Sequence, residues 1–367
     1  MLFRSLGGGS LELRPRGRRF RRLRDLQHID DLRSVLSDHL SRDYAAPMPM
    51  PRYRPPDALE SPRISGVRTF MRLPHVRATE DVDFAIVGIP FDTGASYRVG
   101  ARFGPQAIRA GSTLLRPFNP AHGVDVFEHL SGVDYGDVAV VPGAIVPSYE
   151  KIVEGLAPIV EAGVIPIGLG GDHSITLAEL RALSARHGPL GMIQVDAHPD
   201  TWEGYWGESY THGTVFRRAV EEGVLDPDRV IQVGMRGPIY SFDDYDQSRE
   251  LGMDLVTMDE VRNIGLEGVI ERIRRRAADG PTFLSFDIDS VDPAYAPGTG
   301  TPEVGGFATH EAISLVRGLT GIDFVGGDLV EVLPAYDHAE ITAMAAANVV
   351  FELISLLAVH RRDAANR

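Results

Sequence analysis

The chain has 367 residues, 43% of them hydrophobic and 24% charged, enough to bury a sizeable core in one large α/β domain or two smaller ones. A formal net charge of -14 argues against nucleic acid as the main partner and suits a cationic small molecule. The absence of cysteine excludes disulfides, thiolate catalysis and Cys-ligated zinc together, so any metal must take oxygen and imidazole ligands.

Residues 1–27 are rich in Arg and poor in acids, and read as a disordered tail rather than a nucleic-acid or targeting arm. A short helix is expected over 28–44, then a stiff Pro-rich linker through Pro47–Pro56. This makes 1–65 an N-terminal extension and 66–367 the catalytic domain. Neither a signal-peptide apolar region nor a run of eighteen apolar residues is present, so the expected location is the cytoplasm, with no membrane partner.

From Gly66 onward strand and helix alternate. Asp83–Gly88 has the apolar run of a buried strand, and a Gly-studded loop, Asp92–Pro105, leads to a helix start. Further strands are expected at Val164–Leu169, Met192–Val195, Val230–Val233, Thr282–Phe286 and Phe324–Val332. Helices are expected over 152–160, 175–187, 213–222, 266–279, 309–319 and 339–359. The alternation predicts a parallel sheet covered on both faces, with the ligand site outside the carboxyl ends of its strands.

The chemistry-bearing residues fall at such ends. After Met192–Val195 comes Asp196-Ala-His198-Pro-Asp200, and period-two alternation would point Asp196, His198 and Asp200 the same way. Asp287 and Asp289 are spaced likewise after Thr282–Phe286, while Gly170-Gly-Asp-His173-Ser174 follows Val164–Leu169 with Ser174 read as a helix N-cap. Four carboxylates and two imidazoles are too many for one structural zinc. They suit two divalent ions, manganese first by ligand type, with nickel, cobalt or zinc able to occupy the same cage. Two such ions would lower the pKa of a shared water enough to give hydroxide near neutral pH.

Gly170–Ser174 (GGDHS), Asp196–Asp200 (DAHPD) and Ser285–Pro293 (SFDIDSVDP) resemble the signature motifs of the ureohydrolase family, the arginases and agmatinases. The resemblance extends through Arg102–Pro105, His212–Thr214, Pro297–Gly306 and Val330–Asp337, covering residues 66–360. It implies a three-layer α/β/α sandwich on a mostly parallel eight-stranded sheet, assembled as a homo-trimer or homo-hexamer. It implies that His173, Asp196, Asp200 and Asp287 hold one manganese and Asp196, His198, Asp287 and Asp289 the other, with Asp196 and Asp287 bridging. The implied reaction is hydrolysis of a guanidinium group to urea and an amine by a metal-bridging hydroxide. Glu331 would bind the guanidinium, His212 would shuttle a proton, Asp289 would hold the tetrahedral intermediate and Thr301 would contact the substrate nitrogens.

Within that family Pro297–Thr301 and Val330–Asp337 look nearer to agmatinases and guanidino-acid hydrolases than to arginases. Trp202, Tyr205, Trp206 and Tyr210, with Glu203 and Glu208, suit the amine-terminated tail of agmatine. Arg98 or Arg236 would instead pair with the carboxylate of 4-guanidinobutyrate or 3-guanidinopropionate, and guanidine itself is a further alternative. Among other classes, a deacetylase of related fold leaves Asp289 and His173 unused. A non-catalytic metal-binding paralogue is expected to have lost ligands, and none is lost. A dehydrogenase lacks its dinucleotide fingerprint.

Overall fold

The computed structural model describes residues 51–366 apart from Phe242 and Ala278. The expectations for the Arg-rich tail and for a helix over 28–44 lie outside the described residues.

Eight strands form one sheet: β1 Phe84–Ile89, β2 Gly132–Asp137, β3 Ile165–Gly170, β4 Leu190–Val195, β5 Leu225–Met235, β6 Asp254–Thr257, β7 Thr282–Asp287 and β8 Phe324–Val330. Their order across the sheet is β2-β1-β3-β8-β7-β4-β5-β6, and every pairing is parallel. The strands are near-continuous apolar runs because both faces are covered. Alternation then divides each strand between two cores. Phe84 and Ile86 of β1 face one, while Ala85, Val87 and Ile89 face the other.

The first core is closed by α1 (Gly104–Gly111), α6 (Met258–Ala277), α7 (Thr309–Arg317) and α8 (Ile341–Ala365), through Ile108, Ile273, Leu315 and Ile354. The second is closed by α2 (Ile145–Glu161), α3 (Thr176–His187) and α4 (Val215–Glu221), through Ile152, Leu180 and Phe216. A further helix, α5 (Asp243–Glu250), leads into β6. The result is the three-layer sandwich. Helix α8 is long and apolar enough to cross a bilayer by composition, yet 83% of its apolar window is packed inside the domain.

Strands β2 and β6 were not anticipated. The sequence of β2, GVDYGD, mixes acids and glycines into a strand because Asp134 is neutralised by the buried Arg109, whose Nε and Nη2 donate to it at 2.8 and 2.9 Å. The domain also begins before Gly66, since the Tyr53 carbonyl accepts from Gly132 N–H at 3.0 Å.

The parallel order sets four strand ends side by side in the middle of the sheet. β3, β8, β7 and β4 are neighbours, and their carboxyl ends deliver His173, Glu331, Asp287 and Asp196 to one place.

Candidate metal centre and active-site cleft

The six expected ligands converge, but by turns rather than by strand alternation. Strand β4 stops at Val195, and Asp196 Oδ1 accepts His198 N–H at 2.7 Å, folding the chain back on itself. Asp200 has a φ of 51°, a left-handed backbone that an Asp tolerates at some cost. Likewise Asp287 ends β7 and caps a short 3-10 turn, its Oδ1 accepting Asp289 N–H at 2.7 Å. The Gly170–Ser174 turn is capped by Asp172, not by Ser174: Asp172 Oδ1 accepts Ser174 N–H at 3.1 Å.

Two half-sites result. His173 Nδ1 lies 3.0 Å from Asp196 Oδ2, 3.0 Å from Asp200 Oδ2 and 3.3 Å from Asp287 Oδ2. His198 Nδ1 lies 3.0 Å from Asp289 Oδ2 and 3.7 Å from Asp196 Oδ1. Burial, and then the neighbouring charges of Asp289 and Asp200, push Asp196 up to about 7, and burial with Asp289 and Asp196 raises Asp287 well above the usual range. Burial acts on Asp289 in the same direction but is outweighed by His198 and Arg236, which hold it below the usual range. Buried acids that raise one another, arranged around an imidazole nitrogen aimed between their oxygens, are a donor set that fits divalent cations.

Side chains beneath the candidate ligands hold them in place. Gln194 and Gln232 are paired across β4 and β5. Gln232 Nε2 donates to Gln194 Oε1 at 2.6 Å and to the Pro199 carbonyl at 2.7 Å, while Gln194 Nε2 donates to Asp196 Oδ2 at 2.7 Å. The sequence reading missed both, although a glutamine at the same level in two adjoining apolar strands is a visible signal.

His212 and Glu331 meet beside this centre. Glu331, with a φ of 62°, accepts His173 N–H and His212 Nδ1–H on its Oε1, each at 3.0 Å, and its buried Oε2 has no partner among the described residues. Ser96, in the Ser96–Arg98 loop that the sequence offers for tail recognition, places its N–H 3.1 Å and its Oγ 2.7 Å from His212 Nε2, a contact the sequence does not foretell. Burial alone would lower the His212 pKa, but the Glu331 hydrogen bond and charge, with Asp200 and Asp172 behind, raise it to about 9. Thr301 Oγ1 sits 3.4 Å from Asp289 Oδ2, turned toward a ligand.

A cleft of 590 Å³ opens over His198, Asp200, Asp287, His212 and Thr301. Trp202, Tyr205 and Trp206, as expected, line it with Tyr97, Tyr240 and Tyr245, and Trp202 is centred 4.7 Å from Tyr205 and 5.4 Å from Tyr240. Asp244 and Glu303 add carboxylates. Three expectations fail here. Tyr210 packs edge-on against Tyr149 at 5.7 Å, away from the cleft. Glu203 and Glu208 are exposed and do not line it. Arg98 also lies outside the lining, its guanidinium stacked 4.7 Å from the Tyr336 ring. Arg236 does line the cleft, but its guanidinium is occupied by backbone carbonyls: Nη2 donates to Asp289 O at 2.6 Å and Glu303 O at 2.7 Å, Nε to Val304 O at 3.3 Å.

The sequence profile of the arginase family matches residues 82–355. The chain belongs to the arginase family. It is 44% identical to the guanidinobutyrase of Pseudomonas aeruginosa over 308 residues, covering 83% of this chain and 97% of that one. It is 45% identical to the mitochondrial agmatinase of Gallus gallus over 303 residues, 83% and 89% of the two chains. The solved proclavaminate amidino hydrolase of Streptomyces clavuligerus superposes with a TM-score of 0.79 at 40% identity, over 82% of this chain and 99% of that one. This arginase-family chain is thus a ureohydrolase, a guanidino-compound amidinohydrolase on the shared α/β fold. The family is one of binuclear metal enzymes, which accords with the paired His/Asp half-sites.

Proposed function

We propose that this ureohydrolase cleaves agmatine to urea and putrescine, with manganese as its resident metal. The observation carrying the substrate assignment is the cleft lining: the carboxylates of Asp244 and Glu303 among aromatic faces, and an Arg236 whose Nη2 and Nε donate to backbone carbonyls. Such a wall attracts an ammonium group by charge and by the ring quadrupoles of Trp202, Tyr205 and Tyr240. Oxygen-rich ligands with two imidazoles favour manganese on ligand type.

His173, Asp196, His198, Asp200, Asp287 and Asp289 would hold two divalent ions, which would supply a nucleophilic hydroxide at neutral pH. The rest falls to the protein. The unpartnered Glu331 Oε2 accepts from the guanidinium N–H groups, a charge-assisted contact that fixes the plane of the substrate. His212, with Nδ1–H held by Glu331, keeps Nε2 as the nitrogen that takes up a proton and passes it to the departing amine; between transfers Nε2 accepts from Ser96 N–H and has Ser96 Oγ beside it. The Asp289 carboxylate, to which Thr301 Oγ1 donates, would stabilise the tetrahedral intermediate.

Urea release by the manganese-loaded enzyme, measured side by side on agmatine, 4-guanidinobutyrate, 3-guanidinopropionate, arginine and guanidine and then repeated with nickel, tests this. The expected result is a kcat/KM for agmatine at least ~10-fold above every other substrate, a tail contribution of about 1.4 kcal/mol. Preference for a guanidino acid refutes the agmatine assignment and moves tail recognition toward Arg236, the arginine that lines the cleft. Higher activity with nickel refutes manganese.

A further inference from the structure

Behind the metal centre the core holds another pair of acids. Glu179 on α3 and Asp328 on β8 are only 1% and 3% exposed, and their carboxyl groups are in hydrogen-bond contact. They fill the space left at Gly168, where a Cβ would lie 2.3 Å from Glu179 Oε1 and 3.2 Å from Asp328 Cβ. Among the described residues neither acid is paired with an Arg or Lys. Two touching carboxylates in such a place cannot both be charged.

The surrounding donors identify which of them is. Asp328 Oδ2 accepts the Thr176 hydroxyl at 2.6 Å and Oδ1 accepts the Ser285 hydroxyl at 2.9 Å, so Asp328 is the carboxylate. Glu179 Oε2 has no donor facing it among the described residues, as expected of the acid that carries the proton. Burial, then the charge of Asp328, drives Glu179 well above the usual range, in agreement. Because Ser285 gives its proton to Asp328, its oxygen must accept from His173 Nε2, 2.8 Å away. With Nε2–H so held, Nδ1 is the nitrogen offered to a metal ion, and it lies among the oxygens of Asp196, Asp200 and Asp287.

We propose that Glu179 is a positioning residue: by donating a permanently held proton to Asp328 it fixes, through Ser285, the His173 tautomer that presents Nδ1 to a metal ion. Without that donor Asp328 takes a proton from solvent and donates it to Ser285. The Ser285 hydroxyl then turns to His173 Nε2, and the imidazole proton moves to Nδ1, where it blocks the ligand position. Outer hydrogen bonds of this kind typically alter metal affinity by about 10–100-fold. This assignment does not depend on which guanidino compound is hydrolysed.

The test is calorimetric titration of the metal-stripped full chain with Mn2+ alone, for wild type, Glu179→Gln and Glu179→Leu. The Gln side chain still donates an N–H to Asp328, whereas Leu fills the space without a donor. Expected are two ions per chain in wild type and Glu179→Gln, with affinities within ~3-fold, and one of the two weakened by at least ~10-fold in Glu179→Leu. Wild-type affinity for both ions in Glu179→Leu, or equal weakening in Glu179→Gln, overturns the proposal. Infrared spectroscopy of the manganese-loaded wild type at neutral pH gives a second readout. A protonated-carboxyl C=O band that disappears in Glu179→Gln is expected, and its absence from wild type overturns the proposal whether or not the Leu variant folds.

Discussion

Replacing Arg236 by Met separates a structural guanidinium from a substrate-binding one. The side chain lies against the cleft, where a carboxylate-terminated substrate would meet it, yet its two shortest hydrogen bonds run to the carbonyls of Asp289 and Glu303. Those bonds tie the loop carrying a metal ligand to the loop carrying a cleft carboxylate. Gly306 leaves room for them, since a Cβ there would lie 2.4 Å from Arg236 Nη2. Hydrogen bonds involving a charged donor contribute about 1.5–3 kcal/mol each, and a stranded buried carbonyl costs a similar amount. Burial disfavours the Arg236 charge and lowers its pKa, which offsets part of the gain. Counting only the two short bonds, Arg236→Met should destabilise the metal-loaded enzyme by about 3–5 kcal/mol. Denaturant unfolding in excess Mn2+ gives the stability, and urea release gives KM for agmatine and 4-guanidinobutyrate. The expected outcome is a large fall in unfolding midpoint with the KM ratio of the two substrates unchanged. A fully stable variant whose KM rises at least ~10-fold for the guanidino acid alone would refute the reasoning, because the guanidinium would then be binding carboxylate worth about 1.4 kcal/mol.

The other predictions concern the centre itself. Asp196→Asn removes a charge shared by both half-sites and is expected to abolish urea release and the tight binding of at least one ion while leaving the fold intact; near-normal turnover with two ions bound contradicts the site. Ser96→Ala, which leaves the backbone N–H on His212 Nε2 but removes the hydroxyl, should lower kcat by about 10-fold or more with KM nearly unchanged. Equal kcat would show that the proton passes without Ser96. In the metal-stripped protein the pKa of His212 rises to about 9, so its ion pair with Glu331 contributes fully below the unfolded value of 6.5 and is lost as pH climbs through 9. Stability should therefore decline over that window by on the order of 3 kcal/mol more in wild type than in His212→Asn. Parallel pH curves would show that the pair adds nothing.

The fold was legible because parallel strands buried on both faces have few alternatives to long apolar runs, as at Phe84–Ile89 and Thr282–Asp287. Strand β2 escaped because its acids are neutralised from far along the chain: Asp134 depends on Arg109, a residue of α1. The candidate ligands were legible by residue type, since four acids and two histidines cluster at strand ends. Their geometry was not. Alternation along a strand was the wrong reason for expecting Asp196, His198 and Asp200 to converge. Past Val195 the backbone turns, and what brings the three together is Asp196 capping His198 N–H, the left-handed φ of Asp200 and the Gln194–Gln232 pair holding the loop from below.

The cleft wall was half legible for a related reason. Trp202 and Tyr205 sit in the loop where aromatics were expected, but the charge comes from elsewhere. Glu203 and Glu208 point to solvent, while Asp244 arrives on α5 and Glu303 on the loop after β7. A tail-binding wall assembled from three separate segments can change its chemistry by altering any one of them without disturbing a metal ligand. Relatives named for an acid-tailed and for an amine-tailed substrate are accordingly 44% and 45% identical to this chain. Overall identity therefore carries almost no information about the tail. The few side chains that reach the cleft carry nearly all of it, and in this chain they include the carboxylates of Asp244 and Glu303, six aromatic side chains and an arginine donating to the backbone carbonyls of Asp289 and Glu303.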